Sequence, residues 1–242
     1  MGTRSKYENH RLVFRESAAP VEVLAPMAAV VRFDDFLGKA LNATNDWTVA
    51  GVNAGTAAIN VAVGGHVRIT TGAADDDDVD FASDLVWEAQ KACSLEVRIA
   101  NNDVDMVAFN VGFADATGYG ADLIAMMLAT TVLTSTAADF VGFLWDPDAD
   151  TDTIRLVAVK NNVDQPVLDT GKVLTDGLFT VLRVDVDALG NADFYVDGIH
   201  KGTLLRCITV TDDLCIYIAM INHGEAAANT VDVDYIKAWQ NR

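Results

Sequence analysis

The chain has 242 residues and a formal net charge of −18 at pH 7, from 35 acidic and 17 basic residues. So much negative charge repels nucleic acid and anionic lipid, which excludes both as expected partners. No apolar run is long enough to cross a bilayer, and residues 1–17 lack the apolar core of a signal peptide, so we expect synthesis in the cytoplasm and no membrane association.

The acidic residues comprise 29 Asp and 6 Glu. Asp competes for backbone hydrogen bonds and favours turns, whereas Glu favours helices, so this excess predicts many turns and few helices. An all-β sandwich or barrel of this length forms a single domain.

Residues 1–29 differ from the rest of the chain. They hold four basic and three acidic residues, whereas the remainder carries a net charge of −19. They include Pro20 and Pro26 and show no sustained period of 2 or 3.6 residues, which predicts an extended N-terminal arm. We therefore expect an arm over residues 1–29 and one domain over residues 30–242.

From residue 30 onward, short β-rich runs recur with turn signals such as Gly64-Gly65 and Asp197-Gly198 between them, the pattern of a sandwich or barrel. Many runs alternate: Leu182, Val184 and Val186 share one face of their run, which predicts a strand with one buried face. We predict strands near residues 30–37, 59–63, 66–70, 92–100, 106–113, 139–145, 154–160, 179–187, 192–197, 202–208, 214–221 and 231–239.

The segment 119–133 fits either a short buried helix or an irregular pair of strands. Its β-branched residues Thr130, Thr131 and Val132 favour strands.

Alternating aspartates follow the predicted strand at 139–145: Asp146, Asp148, Asp150 and Asp152. Alternate carboxylates are typical of the first half of a calcium loop, which makes a weak Ca²⁺ site one interpretation. The alternative is a solvated hairpin tip, because Thr151 and Val157 replace the glycine and the glutamate of that loop. Residues 75–78 are four adjacent aspartates, for which we expect a hydrated loop unless a cation binds.

The cysteines are odd in number and contain no C-x-x-C pair, so we expect buried free thiols, with a 207–215 disulfide as the alternative in an oxidising compartment. These residues are Cys93, Cys207 and Cys215. The histidines fall near turns or in the arm and are predicted to be surface residues and not ligands. They are His10, His66, His200 and His223.

Four segments together resemble the concanavalin A-like lectin/glucanase jelly-roll superfamily, and more narrowly the jelly-roll proteins of tailed-phage structural modules. They are F-D-D-F at 33–36, V-G-F-L-W-D-P-D-A-D-T-D at 141–152, F-Y-V-D-G-I-H-K-G-T-L at 194–204 and V-D-V-D-Y-I-K-A-W at 231–239. The resemblance covers about residues 31–240. It implies a two-sheet antiparallel jelly-roll sandwich whose first and last strands pair, with residues 33–37 beside residues 233–239.

Glucanases of this superfamily carry E-x-D-x-x-E on one strand for glycoside hydrolysis. None of the six glutamates here has Asp two residues later, and other hydrolase, metalloprotease and nucleotide-binding motifs are also missing. We therefore expect no catalytic residues and no enzymatic activity. Aromatic residues that could stack on sugars are few, and each is also a candidate core residue. The candidates are Trp47, Trp87 and Trp145.

The phage resemblance implies a non-enzymatic virion protein, most specifically a capsid decoration (cement) protein on the outer capsid surface. Its expected partners are the major capsid protein and further copies of itself in a dimer or trimer. The arm would dock through its basic residues Arg4, Lys6, Arg11 and Arg15. The alternative is a carbohydrate-binding or receptor-binding fibre domain that uses the concave face of the jelly roll. Beyond the Ca²⁺ site, no cofactor is expected.

Overall fold

The computed structural model describes most of the chain, with backbone alone before residue 30. The described residues are 4–8, 11–16, 19–24, 29–38, 40–42, 46–51, 55–60, 64–224 and 227–242. Within these ranges, no helix is long and apolar enough to span a membrane.

Strands dominate the described residues, and a single turn of 3₁₀ helix lies at Ala89–Lys91. The strands are β1 (Arg4–Glu8), β2 (Arg11–Glu16), β3 (Ala19–Leu24), β4 (Ala29–Asp34), β5 (Thr48–Gly51), β6 (Thr56–Asn60), β7 (His66–Thr70), β8 (Asp78–Ala82), β9 (Ser94–Asn101), β10 (Val107–Ala114), β11 (Met126–Ala129), β12 (Val132–Ser135), β13 (Phe140–Trp145), β14 (Arg155–Lys160), β15 (Val163–Asp164), β16 (Leu168–Asp169), β17 (Thr180–Val186), β18 (Ala192–Val196), β19 (Ile199–Leu204), β20 (Cys215–Asn222) and β21 (Thr230–Asn241).

Two antiparallel sheets form the body of the fold. Sheet 1 has the order β15-β14-β13-β10-β20-β8-β5, with β16 paired to β14, and sheet 2 has the order β19-β18-β17-β9-β21-β7-β6, with β4 paired to β21. The predicted all-β, two-sheet antiparallel sandwich is therefore confirmed.

The sandwich core consists of the inward-facing residues of both sheets. On β17 the predicted alternation holds, because Leu182, Val184 and Val186 are buried and the residues between them are partly exposed. The pairing of the first and last strands is also confirmed: β4 lies beside β21, with Phe33 opposite Lys237 and Asp34 opposite Ile236.

A second apolar layer covers the outer face of sheet 1. Residues 115–138, which we call the covering segment, include the antiparallel hairpin of β11 and β12 and bury Ile124, Met126 and Leu128 against that face. Gly112 and Gly142 pair at its centre. A Cβ atom at Gly112 would lie 2.3 Å from a backbone oxygen of the next strand and 3.0 Å from the Phe140 ring, so the glycines allow β10 and β13 to pair beneath the Phe140 ring. The predicted strands within 119–133 are confirmed.

Two buried side chains hold the covering segment in place. Asn110, on β10, donates its side-chain N–H to the Met126 carbonyl (3.0 Å) and accepts from the Met126 N–H (2.8 Å). Asp146 accepts a hydrogen bond from the Leu128 N–H at 2.7 Å. Buried backbone groups need hydrogen-bond partners, so these contacts hold the covering segment against the outer face of sheet 1. The segment therefore occupies that face.

Strands β1, β2 and β3 form a small antiparallel sheet and, within the described residues, pair only with one another. The composition of these residues predicts an extended arm. The structure adds strand pairing to it, in keeping with the β-forming Val, Leu and Phe residues of these segments.

Candidate functional site

A cavity of about 370 Å³ lies between the edge of sheet 1 and the covering segment. Sheet 1 contributes Asp78 and Asp80 from β8 and Ala50 from β5, and Ala50 lies directly opposite Asp80 in the strand register. The covering segment contributes small residues to the other wall: Thr117, Gly118, Gly120 and Ala121. The two carboxylates are therefore the charged groups of a cavity otherwise lined by small side chains.

Asp78 and Asp80 point to the same face of β8 because side chains alternate along a strand, whereas Val79 and Phe81 point into the sandwich core. Two residues of strand place their Cα atoms roughly 6.6 Å apart. Both aspartates are buried, with about 1% of each exposed.

The oxygens of the two carboxylates differ in their partners. Asp80 accepts hydrogen bonds from the Tyr217 hydroxyl through one oxygen and from the Tyr119 N–H (3.3 Å) through the other. Asp78 Oδ1 accepts from the Asp122 N–H at 3.0 Å, but its Oδ2 is buried and has no hydrogen-bond partner within the part of the chain that the structure describes. One oxygen of a residue that lines the cavity is therefore a buried acceptor to which no described group donates.

Burial changes the acidity of both groups. It raises the pKa of Asp78 to about 6, with the negative charges of Asp122 and Asp77 adding to the effect of burial. It raises the pKa of Asp80 to about 7, although the hydrogen bond from Tyr217 acts in the opposite direction. Near neutral pH the site thus holds negative charge at a high energetic cost.

The two carboxylates differ in how far their oxygens are engaged by other groups. Cleavage of a glycosidic bond usually needs two carboxyl groups, one as acid and one as nucleophile or base. Both oxygens of Asp80 are engaged by tyrosine groups, so only Asp78 presents a free oxygen. No described glutamate lies in the cavity; Glu88 precedes the 3₁₀ turn and Glu96 lies on β9 of sheet 2.

A second cluster of polar groups surrounds His223, at the end of β20. Its Nε2 atom lies 3.5 Å from Asp146 Oδ1, and its Nδ1 atom lies 3.9 Å from both Asp148 Oδ2 and Asp76 Oδ1. Asp146 and Asp148 together with His223, and Asp75 and Asp76 together with His223, form groups whose ligand atoms all lie within 4.8 Å of one another.

Local hydrogen bonds bring the loops of this cluster together. The Asn222 carbonyl accepts from the Asp76 N–H at 2.7 Å, and the Asn222 side chain donates to the Ala74 carbonyl at 3.1 Å. The His223 N–H donates to the Met106 carbonyl at 2.7 Å. The imidazole is thereby held among aspartates from two other loops.

The chemistry of this cluster matches that of a divalent metal site. Burial alone would lower the pKa of His223, but the negative charges of Asp146, Asp148 and Asp76 outweigh it and raise that pKa. A metal ion on Nδ1 with Asp148 and Asp76 would leave Nε2 facing the buried Asp146, which is the carboxylate–histidine–metal arrangement of many metal sites. An imidazole with carboxylates suits a transition metal such as Zn²⁺ better than Ca²⁺, which takes oxygen ligands.

Only half of the predicted metal set is brought together. Asp146 is 3% exposed and so does not belong to a solvated hairpin tip, and Asp148 lies near it beside His223. Asp150 instead pairs with Arg155 at 2.9 Å, and Asp152 is exposed. The prediction of surface histidines is wrong for His223 and His66, whose side chains are only 11% and 15% exposed. His223 packs under these loops, and His66 lies 3.3 Å from Asp232.

The predicted hydrated loop at residues 75–78 is also only partly correct. Asp75 and Asp76 are exposed, but Asp77 and Asp78 are buried. The reason is that β8 begins at Asp78, so the run of aspartates continues into the sheet.

The three tryptophans proposed for sugar stacking lie in the sandwich core. Trp47, Trp87 and Trp145 are each at most 2% exposed, and Trp47 stacks on Phe81 with the ring centroids 4.5 Å apart. Their rings are not available to a ligand, because each packs between the two sheets. The expected buried thiols are confirmed, since all three cysteines are free and buried.

The four basic residues proposed for capsid docking lie in the N-terminal strands: Arg4, Lys6, Arg11 and Arg15. Their side chains are outside the described residues.

Sequence reasoning missed Asp78, Asp80 and His223 as site residues. The alternation D-V-D-F at 78–81 was the available signal, since it predicts a strand with an acidic outer face. For His223 no local pattern exists, because its partners come from positions more than 70 residues away.

Comparisons with known proteins support the fold. No protein-family model matches the chain, and no curated protein matches it. Among solved structures, the β-glucanase of Bacillus licheniformis is 14% identical with a TM-score of 0.58, covering 88% of this chain and 98% of that one. The carbohydrate recognition domain of Emp47p is 10% identical with a TM-score of 0.54, covering 86% of this chain and 96% of that one.

A protein of unknown function from Shewanella oneidensis MR-1 is 9% identical with a TM-score of 0.53, covering 89% of this chain and 87% of that one. At such identities the likeness establishes the fold alone. The chain has the concanavalin A-like lectin/glucanase jelly-roll fold that the sequence resemblance implied.

Proposed function

We propose that this protein is a lectin-like module that binds a glycan in the cavity beside Asp78 and Asp80 without cleaving it. One observation carries the proposal: Asp78 lines the cavity, and its buried carboxylate oxygen Oδ2 has no hydrogen-bond partner among the described residues. Sugar hydroxyls are donors of the kind that such an oxygen needs.

The size and position of the cavity support this proposal. About 370 Å³ lies near the lower end of the range of small-molecule sites, which suits one or two sugar rings. The covering segment occupies the outer face of sheet 1, so a glycan would enter at the β5–β8 edge and not along the whole face. The shared fold of a carbohydrate recognition domain adds support by analogy only.

A glycan array probed with the full-length protein tests the proposal. We expect binding to a restricted set of glycans, a loss of at least tenfold in Asp78→Asn, and blocked binding in Ala121→Trp, which fills the cavity. Asp84→Asn is the matched control, because Asp84 is exposed and lies just beyond β8. Equal binding by all variants would place the glycan elsewhere, and release of reducing ends from a bound glycan would contradict the absence of cleavage.

A second candidate function is capsid decoration, and the N-terminal sheet favours it. Strands β1–β3 pair only with one another among the described residues, and a sheet of three short strands needs an apolar face or a packing partner for independent stability. Residues 1–29 also carry a net charge of +1 against −19 for the rest. A capsid protein, with further copies of this chain, would supply the missing partner, and the acidic sandwich would face solvent on the virion.

Co-sedimentation with phage capsids tests this second function. The full-length chain should sediment with capsids, and a variant in which Arg4, Lys6, Arg11 and Arg15 are changed to Gln should not. Equal sedimentation of both would exclude docking through these basic residues.

A further inference from the structure

The charges around the cavity restrict the chemistry of its ligand. Asp78 and Asp80 are the charged residues of its lining, and no Lys or Arg of the described chain is among them. Asp122 and Asp77 add negative charge beside Asp78. Each buried carboxylate without a cationic partner is unfavourable, so a ligand that brings positive charge relieves a cost that a neutral ligand leaves in place.

The hydrogen bonds within the site point the same way. No group of the described residues donates to Asp78 Oδ2, and the residue is only 1% exposed, so water compensates the charge poorly. An ammonium group offers three N–H donors and a full positive charge, so it both donates to the carboxylate and compensates its buried charge, whereas a neutral hydroxyl only donates.

A metal ion fits this cavity less well than an ammonium group does. Divalent cations need several oxygen ligands at once, but both oxygens of Asp80 are engaged by Tyr217 and Tyr119. Asp78 therefore has one free oxygen to offer, which matches a single charged hydrogen-bond donor.

We propose that the cavity selects glycans that carry a protonated amine, with the ammonium group paired with the carboxylate of Asp78, whose side chain turns Oδ2 toward it. This inference rests on the proposed glycan-binding function and names its ligand class. The small residues Ala50, Gly118 and Gly120 leave room for the sugar ring beside the ammonium group. An N-acetylated sugar lacks the charge, so it loses the advantage.

Titration calorimetry of the full-length protein at pH 7 tests the inference with four ligands: glucosamine, glucose, N-acetylglucosamine and cyclohexylamine. We expect glucosamine to bind at least tenfold more tightly than each of the other three. Asp78→Asn should abolish the difference between glucosamine and glucose, whereas Asp84→Asn should retain it.

The four ligands separate the two proposals. Equal affinity for glucosamine, glucose and N-acetylglucosamine would overturn the amine preference and leave glycan binding intact. Equal affinity for glucosamine and cyclohexylamine would support the amine preference and contradict a glycan function. Binding of none of the four would overturn the amine inference, and the glycan array would then decide separately whether another glycan binds.

Discussion

Replacing Asn110 with leucine should loosen the covering segment that forms one wall of the cavity. Asn110 is fully buried on β10 and makes two hydrogen bonds to the backbone of Met126, at 2.8 and 3.0 Å. Leucine has a similar size but neither donates nor accepts. The Asn110→Leu variant would therefore leave a buried N–H and a buried C=O without partners.

Each buried polar group that loses its partner costs about 1–3 kcal/mol. Two such groups give a loss of about 2–6 kcal/mol in the free energy of unfolding, which is a large fraction of the stability of a typical domain. Urea unfolding followed by tryptophan fluorescence measures this loss, since Trp47, Trp87 and Trp145 are buried.

Thr134→Leu is the control for Asn110→Leu, because Thr134 is exposed on β12 and its change should alter stability by about 0.5 kcal/mol or less. If the free energy of unfolding falls by less than about 1 kcal/mol in Asn110→Leu, then Asn110 does not hold the covering segment on the outer face of sheet 1.

Three further predictions concern acidity, metal binding and the arm. Burial raises the pKa of Asp78 to about 6 and that of Asp80 to about 7, so between about pH 4 and pH 7 the folded chain retains protons that the unfolded chain releases. The contribution of these two protonated groups to stability is therefore fully present below pH 4 and is lost as the pH rises to 7. Asp80→Asn should flatten this pH dependence of the unfolding free energy. At about 1.4 kcal/mol per pKa unit, the change should be on the order of 4 kcal/mol. An unchanged pH dependence in Asp80→Asn would contradict the raised pKa of Asp80. Zn²⁺ at 100 times its Kd should stabilise the chain by about 2.7 kcal/mol in thermal unfolding. His223→Ala should remove this stabilisation, and Asp152→Asn should retain it. Stabilisation that survives His223→Ala would exclude the His223 cluster as the metal site. Removal of residues 1–28 should leave the far-ultraviolet circular dichroism of a folded sandwich, because β4 begins at Ala29, and an unfolded product would refute a separate arm.

The sequence predicts the strands of the sandwich where alternation is clear. Strand β7 coincides with the predicted range 66–70, and β17 and β21 differ from prediction by one or two residues at each end. The D-V-D pattern at 78–80 indicates a strand with an acidic outer face, but β8 is absent from the predicted ranges because Asp78 also ends a run of aspartates, whose local signal is that of a loop. Burial in sheet 1 overrode the low strand propensity of aspartate.

The candidate site depended on contacts that local patterns do not encode. Tyr217 and Tyr119 meet Asp80 only after β20 and the covering segment pack against β8. Composition does not distinguish a tryptophan ring in the core from an exposed one, so the sequence alone leaves Trp47, Trp87 and Trp145 as candidates for stacking on sugars. Whether each tryptophan points into the core depends on the position of its residue within a strand and on the neighbours of that strand, and local sequence patterns do not give those neighbours.

Amide chemical shifts of the ¹⁵N-labelled protein, recorded during titration with glucosamine, test the glycan site most directly. If the cavity is the site, the largest shifts should fall on Thr117, Gly118 and Gly120, which line it. Shifts concentrated instead near Trp239, which lies on sheet 2 beneath Arg183, would place the ligand on the opposite sheet and contradict the assignment.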